Sequence, residues 1–212
     1  MARIIVLVFG ALALASCSVV DHYLSEPTPK PVTVAVSYRS PTVDGHKIRR
    51  VAVLPFRDDT VHPEHAAGVQ RAFVDALSRR QAFEVIEIGY DELNAREEQA
   101  YFREGRVAKA TLMRLSKTYN ADGVIYGVVT RYRAYEPMAI GIRISLASAG
   151  AGDLVWEANG LFDAAEALVV QDVHNWYDTQ ADRSDHLERW RSVLMSPNRF
   201  SAYACSRIVA TW

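Results

Sequence analysis

"GVIYGVVTRYRAYEPMAIGIRISLASAGAGDLVWEANGLF" occupies residues 123–162, and its reading decides the fold. Gly123 to Arg133 begins apolar on both faces, the pattern of a strand central in a sheet. Ile140, Ile142, Ile144 and Leu146 alternate with Gly141, Arg143, Ser145 and Ala147, which predicts a strand with one buried and one wetter face. Leu154 to Phe162 makes a third strand. The breaks between them are short: Glu136-Pro137, then Gly150-Ala151-Gly152-Asp153, which has the composition of a hairpin turn. Strands joined so closely pair antiparallel.

Upstream the pattern changes. Arg49-Arg50 leads into Val51-Ala52-Val53-Leu54-Pro55-Phe56, an almost wholly apolar run that predicts a buried strand. Pro55 lies near its end, where a missing donor matters least. Asp58, Asp59 and Thr60 are turn and N-cap material. From about Glu64 to Arg80, Val69, Phe73, Ala76 and Leu77 fall at helical spacing. Phe83 to Ile88 alternates as a strand, Tyr90 to Phe102 predicts a polar helix, and Ala108, Leu112, Leu115 and Tyr119 mark another that stops near Asn120. Downstream, the last 50 or so residues are helical in pattern. Leu187, Trp190 and Leu194 form a narrow stripe on a segment rich in charge, with Asp185 and Arg189 spaced i,i+4. Ser196-Pro197 is a helix start, with Ser as N-cap and Pro at N1, after which Phe200, Ala204, Ile208 and Thr211 face one way. The order β-α-β-α-α-β-β-β-α predicts an α+β fold: a mixed sheet of about five strands with helices packed on it and a helical C-terminal tail from about residue 164.

The chain's beginning has a different character. Arg3 precedes an apolar run from Ile4 to Leu14, too short to span about 30 Å of hydrocarbon as a helix. Ala15, Ser16 and Cys17 follow. Residues 1–16 read as an export signal, and Leu14-Ala15-Ser16-Cys17 resembles the bacterial lipobox, in which Cys17 becomes a lipidated N-terminus. Several acyl chains on one residue hold a protein to a bilayer far better than one does. Ser18 follows the cysteine where an inner-membrane retention signal carries Asp, which points to the outer membrane. Residues 17–48 read as a tether, broken by Pro27, Pro29, Pro31 and Pro41, with a short edge strand at Val32 to Tyr38. Residues 49–212 then make a single periplasmic domain. The chain carries 24 Lys+Arg against 25 Asp+Glu. Without Arg3 the balance is net −2, which makes no case for nucleic acid or for a polybasic membrane patch. Cys205, the only other cysteine, has no intrachain disulfide partner once Cys17 is lipidated, so the core must hold the fold by itself.

The chemistry-bearing residues are sparse. His62 and His65 have a spacing that metal sites use, but no third or fourth ligand accompanies them; Asp58-Asp59 suits a capping turn better than a cation. No metal and no cofactor is expected. Ser184, His186 and Asp182 make a hydrolytic set on paper only, because no nucleophile elbow positions the serine. No phosphate-cradling glycine motif occurs. Cys205 sits mid-helix among apolar residues, as a buried inert thiol does. "TRYRAYE" (130–136) could stack RNA, but alternation puts Tyr132 and Tyr135 on opposite faces. Trp176, Trp190 and Trp212 lie in the tail, where they either cap the core or, for Trp176 and Trp190, serve as interface residues.

"RRVAVLPF" (49–56), a helix, "ADGVIYGVVTRY" (121–132), "GDLVWEANGLFD" (152–163) and the late "SPNRF" (196–200) together resemble the curli-secretion-lipoprotein-like superfamily of envelope lipoproteins. That group includes the Pel polysaccharide export lipoprotein, the lipoprotein activator of a peptidoglycan synthase, and the amino-terminal domain of TolB. The resemblance implies a non-enzymatic periplasmic domain, a homo-oligomer and protein partners in the cell envelope, with a role in export or assembly. A tethered regulator of a peptidoglycan synthase is the alternative within that group, and a hydrolase with an unrecognised site is the alternative outside it. The pore-forming curli member resembles this domain plus inserted hairpins, and the strand connections here are too short to supply membrane strands of about 9 to 11 residues each.

Overall fold

The computed structural model describes residues 35–60, 64–103, 107–180 and 189–212. The lipobox, Cys17, His62, Leu187 and the Ser184, His186 and Asp182 set lie outside the described residues. The strands are β1 (Ala35–Arg39), β2 (Arg50–Val53), β3 (Arg57–Asp58), β4 (Glu84–Glu87), β5 (Gly123–Arg133), β6 (Ala139–Ser148) and β7 (Leu154–Asp163). The helices are α1 (Glu64–Arg80), α2 (Ala95–Glu98), α3 (Lys109–Tyr119), α4 (Ala167–Gln180) and α5 (Pro197–Val209). All strands join one mixed sheet in the order β1-β7-β6-β5-β2-β4, with β3 also beside β5. The meander β5-β6-β7 is antiparallel as expected. Strands β2, β3 and β4 run parallel to their neighbours, because α1 and the α2–α3 segment carry the chain back across the sheet. Strands β2 and β3 are one line of chain interrupted at Leu54-Pro55-Phe56, both pairing with β5; Pro55 has no N–H to give the ladder.

Strand β1 realises the edge strand foreseen near Val32 to Tyr38 and pairs antiparallel with β7. With the buried Val43 that follows it, β1 puts residues 35–48 on the sheet and its core, inside the stretch read as tether. The described residues fall within one compact unit, Val32–Trp212. No helix among them is long and apolar enough to cross a membrane.

One face of the sheet carries α1, α4 and α5. The main core lies there: Val51, Val53, Phe56, Val69, Phe73, Ile125, Ile140, Ile142, Ile144, Leu146, Phe162, Phe200, Tyr203 and Ile208 are all buried. Phe73 on α1 is wholly buried and meets Phe56 with ring centroids 5.4 Å apart, a contact worth about 1 kcal/mol beyond its burial. Two glycines permit this packing. A Cβ on Gly127 would stand 2.6 Å from Ile144 Cδ1 and 2.9 Å from the Phe56 ring, and one on Gly160 would stand 2.7 Å from the Phe162 ring and 3.2 Å from Ile208 Cδ1 on α5. The second face carries α2 and α3 only over β4, β2 and the start of β5. A smaller core sits beneath them, with Leu54, Ile88, Leu112, Leu115, Val124 and Ala147.

Several expectations need correction. The polar helix expected over 90–102 is a 3-10 turn, Tyr90–Glu92, then α2 and a π-helical turn, Gln99–Arg103. Leu93 and Asn94 are extended, and the Asn94 side chain accepts from the backbone of Arg96 and Glu97 while Glu97 accepts from the Asn94 N–H. This capping box starts the helix at residue 95. The expected wetter face of β6 is mostly buried, with Arg143 its one exposed residue. Ala147 lies under α3, and Gly141 is shaded by Thr130 and Arg131 of the neighbouring strand. Asp58, read as turn material, pairs in β3 before its carboxylate accepts from the Thr60 N–H at 2.6 Å. Trp190 sits on a 3-10 turn, Arg189–Val193, not on an α-helix stripe. The α1 bounds, the stop at Asn120 in left-handed backbone (φ 51°), and the α5 start at Ser196-Pro197 agree with expectation.

Helices α4 and α5 are locked by one buried carboxylate. Asp172 accepts from the Tyr203 hydroxyl at 2.7 Å and from Arg207 Nε and Nη2 at 2.8 and 2.7 Å. Burial, reinforced by the Asp172 carboxylate, pushes the Tyr203 phenol well above its ordinary value, so it stays a donor. Asp172→Ala should cost about 2–3 kcal/mol in urea unfolding, because it strands the buried hydroxyl and the guanidinium together. Tyr203→Phe should cost about 1 kcal/mol, since Arg207 still satisfies Asp172.

Candidate functional site

Two concavities stand out among the described residues. The first is a polar cleft of about 220 Å³ on the half-covered face of the sheet, lined by Arg57, Tyr101, Tyr126, Arg143, Ser145 and Glu157 with the Gly127–Val128 backbone. Strand alternation and register build it. Ser145 on β6 faces Tyr126 on β5 and Glu157 on β7, and Arg57 on β3 lies beside Val128. The remaining wall comes from the helical layer. After α2 the chain widens into a π-helical turn, Gln99–Arg103, and this turn drops Tyr101 into the cleft, 4 % exposed. π-turns of this kind frequently mark functional positions.

The cleft's polar groups have defined partners. Tyr101 donates to the Gly127 carbonyl at 3.1 Å, and Ser145 donates to Glu157 Oε2 at 3.0 Å. Arg57 pairs with Asp59 at 3.0 Å. The Arg143 side chain makes no hydrogen bond or ion pair with any described residue, while its backbone pairs within the sheet. Burial pushes the Tyr126 phenol up, with Ser145 acting against the rise. Burial also raises Tyr101 strongly. Both phenols are therefore neutral donors at ordinary pH. Ser145 gives its proton to the Glu157 carboxylate, and the lining brings guanidinium, phenol, hydroxyl and carboxylate groups together, all able to hold polar ligand atoms. The layer above the cleft is pinned by Glu97, which receives Arg114 Nε at 2.9 Å and Nη2 at 2.6 Å.

The second concavity is an apolar groove of about 570 Å³ between the β5–β6 loop and the tail, where Pro137, Ala164, Val170, Trp190, Leu194 and Met195 meet. Trp190 is half-buried, edge-on to His174 at 5.1 Å with Arg191 over its ring at 5.4 Å. Trp176 lies elsewhere, against the main core, edge-on to Tyr203 at 5.6 Å. The two tryptophans singled out in the sequence thus do not share a site. Trp212 packs on Trp156 and Phe83. Tyr132 stacks on His65 at 4.1 Å while Tyr135 is 74 % exposed, so they form no common stacking surface. Cys205 is wholly buried and its thiol is pushed far up by burial. Of the cleft residues, sequence patterning singles out none. Arg143 alone carries a signal, as the one charge within an apolar alternation.

No protein-family model matches the chain, and no curated protein matches it. Among solved structures, the fold is similar to that of the PelC dodecamer from Paraburkholderia phytofirmans, at 16% identity and TM-score 0.46, over 78% of this chain and 96% of that one. It is similar to lipoprotein GNA1162 from Neisseria meningitidis, at 15% identity and TM-score 0.41, over 63% of this chain and 99% of that one. It is also similar to the LpoB C-terminal domain from Escherichia coli, at 14% identity and TM-score 0.34, over 57% of this chain and 92% of that one. The likeness is one of fold outline, and no site residue is carried over from it.

Arg114 holds the Glu97 carboxyl below its usual range, against the raising effect of burial. A carboxyl lowered in the folded state stabilises above its unfolded value and loses that contribution as pH falls through the folded one. Urea unfolding of the wild type should therefore weaken more steeply with acid than that of Glu97→Gln, which has no such proton to take up. Trp176→Ala should lower stability by about 2–3 kcal/mol as a core truncation, and Trp190→Ala by about 1 kcal/mol, with denaturant midpoints as the readout.

Proposed function

We propose that this chain is an outer-membrane lipoprotein, anchored through Cys17, whose periplasmic domain is a non-enzymatic, self-associating part of a cell-envelope export or assembly machine. The observation that carries this reading is the lipobox-like Leu14-Ala15-Ser16-Cys17 placed close to the folded domain. Ala35, the first residue of β1, follows Cys17 by only 18 positions, a reach of at most about 60 Å when fully extended. An anchored domain on so short a leash works within the layer next to the membrane. The polar cleft supports a binding role, since the Arg143 guanidinium on its wall has no partner among the described residues and Glu157 beside it keeps acceptor capacity. The apolar groove with Met195 at 69 % exposure and the near-zero net charge favour contact between copies.

The test uses the full chain, expressed with an alkyne-tagged fatty acid and compared with Cys17→Ser. The wild type should take up the label and sediment with outer membranes, and the variant should do neither. Processed, unlabelled variant lodged in membranes at the wild-type level would overturn the anchor. Sedimentation of the released Cys17→Ser protein should show assembly; a well-folded monomer at tens of micromolar would overturn self-association through the domain. Turnover of an ester, glycan or peptide that Ser145→Ala abolishes would overturn the non-enzymatic reading.

A further inference from the structure

We propose that the cleft between β3, β5, β6, β7 and the π-turn is a binding site for a small organic acid that carries a hydrogen-bond donor on the carbon next to its carboxylate, an α-amino or α-hydroxy acid. The site is distinct from the lipid anchor and does not depend on it.

Size sets the first limit. About 220 Å³ is the room of roughly seven waters at about 30 Å³ each. A small organic acid fits within that space whole. Charge sets the second. Arg143 is the one exposed residue of a ten-residue strand, has no partner among the described residues, and stands on the cleft wall. A guanidinium is a planar fork of donors that matches a carboxylate bidentately. Glu157 shares that wall. It receives one proton from Ser145 and keeps acceptor capacity on its other lone pairs, since a carboxylate has about four acceptor sites. A ligand that places a carboxylate on Arg143 and a donor on Glu157 satisfies both charges together, which a simple anion or a simple cation does not. The floor is fixed in advance: the Tyr101 hydroxyl is tied to Gly127, and Tyr101 itself is held among buried neighbours. Little ordering is left to be done on binding.

The probes are glycine, L-alanine, D-alanine, glycolate, lactate and, as a donor-free control, acetate. Each is titrated into the full chain in detergent micelles by calorimetry and by one-bond amide NMR. Saturable binding of an amino or hydroxy acid in the micromolar to low-millimolar range is expected, with shifts centred on β5–β7. Acetate should bind at least about tenfold more weakly. Arg143→Ala should lose about tenfold or more, and Arg143→Lys should recover part of it, since it keeps the charge without the fork. Glu157→Ala, which removes the acceptor altogether, should abolish the preference over acetate. Arg143 is exposed and unpartnered, so its variants keep the wild-type fold, which circular dichroism checks. Preference for the amino acids assigns Glu157 an ammonium partner, and preference for the hydroxy acids a hydroxyl partner; both support the site. Absence of saturable binding by every probe, or binding that Arg143→Ala leaves unchanged, overturns it. Neither result bears on whether Cys17 carries lipid.

Discussion

A side chain at position 127 would collide with Ile144 and Phe56 on one side of the sheet, and the carbonyl of the same residue holds Tyr101 beside the other. Gly127 is thus the point at which both helical layers meet strand β5. Its missing Cβ leaves room for the Phe56 ring, which reaches Phe73 of α1. Phe56 in turn continues the line of chain from β2 into β3, so the parallel half of the sheet is clamped to the antiparallel half across one residue. Close packing at interior density makes such a point unforgiving, because neighbours on three elements would have to move together.

The two faces of the sheet are covered to different extents. Three helices lie on the main core, and the Asp172–Tyr203–Arg207 cluster fixes two of them to each other. A buried carboxylate with three short donors is stable where a lone one would not be. The opposite face has only α2, α3 and the turns around them. Past Tyr101 the sheet is open, with Tyr38 and Leu161 about half exposed. The polar cleft forms at this boundary, where helix cover ends and strand side chains begin to meet water. A boundary of this kind supplies both a rigid floor and access, which a site in the middle of either core would lack.

Much of the architecture was legible in the chain because it rests on local rules. Helix α1 has its apolar positions at i, i+4 and i+7, and its bounds follow from that stripe. Asn120 stops α3 because asparagine tolerates left-handed backbone, and Pro197 starts α5 because its missing N–H is unbonded at a helix start anyway. The three-strand meander follows from alternation and short turns. The resemblance to envelope lipoproteins rested on the same apolar strand patterns. The split of residues 90–103 into a turn, a capped helix and a π-turn was not legible, since Asn94 as an N-cap competes with a polar periodicity that runs through it.

What the sequence by itself determined is the α+β class, the longer elements and their order, the antiparallel half of the sheet and the inert burial of Cys205, all consequences of periodicity, turn chemistry and hydrophobicity within a short window. Tertiary structure alone decided which face of each strand was covered and which side chains met. The cleft draws Arg57, Tyr101, Tyr126, Arg143, Ser145 and Glu157 from five separate segments spread over 101 positions of chain, and no local pattern links them. The burial of Gly141 and Ala147 on the expected wetter side of β6 has the same origin. Small side chains become buried through what lies over them, and what lies over them is set by strand order and helix placement, which a linear pattern does not encode.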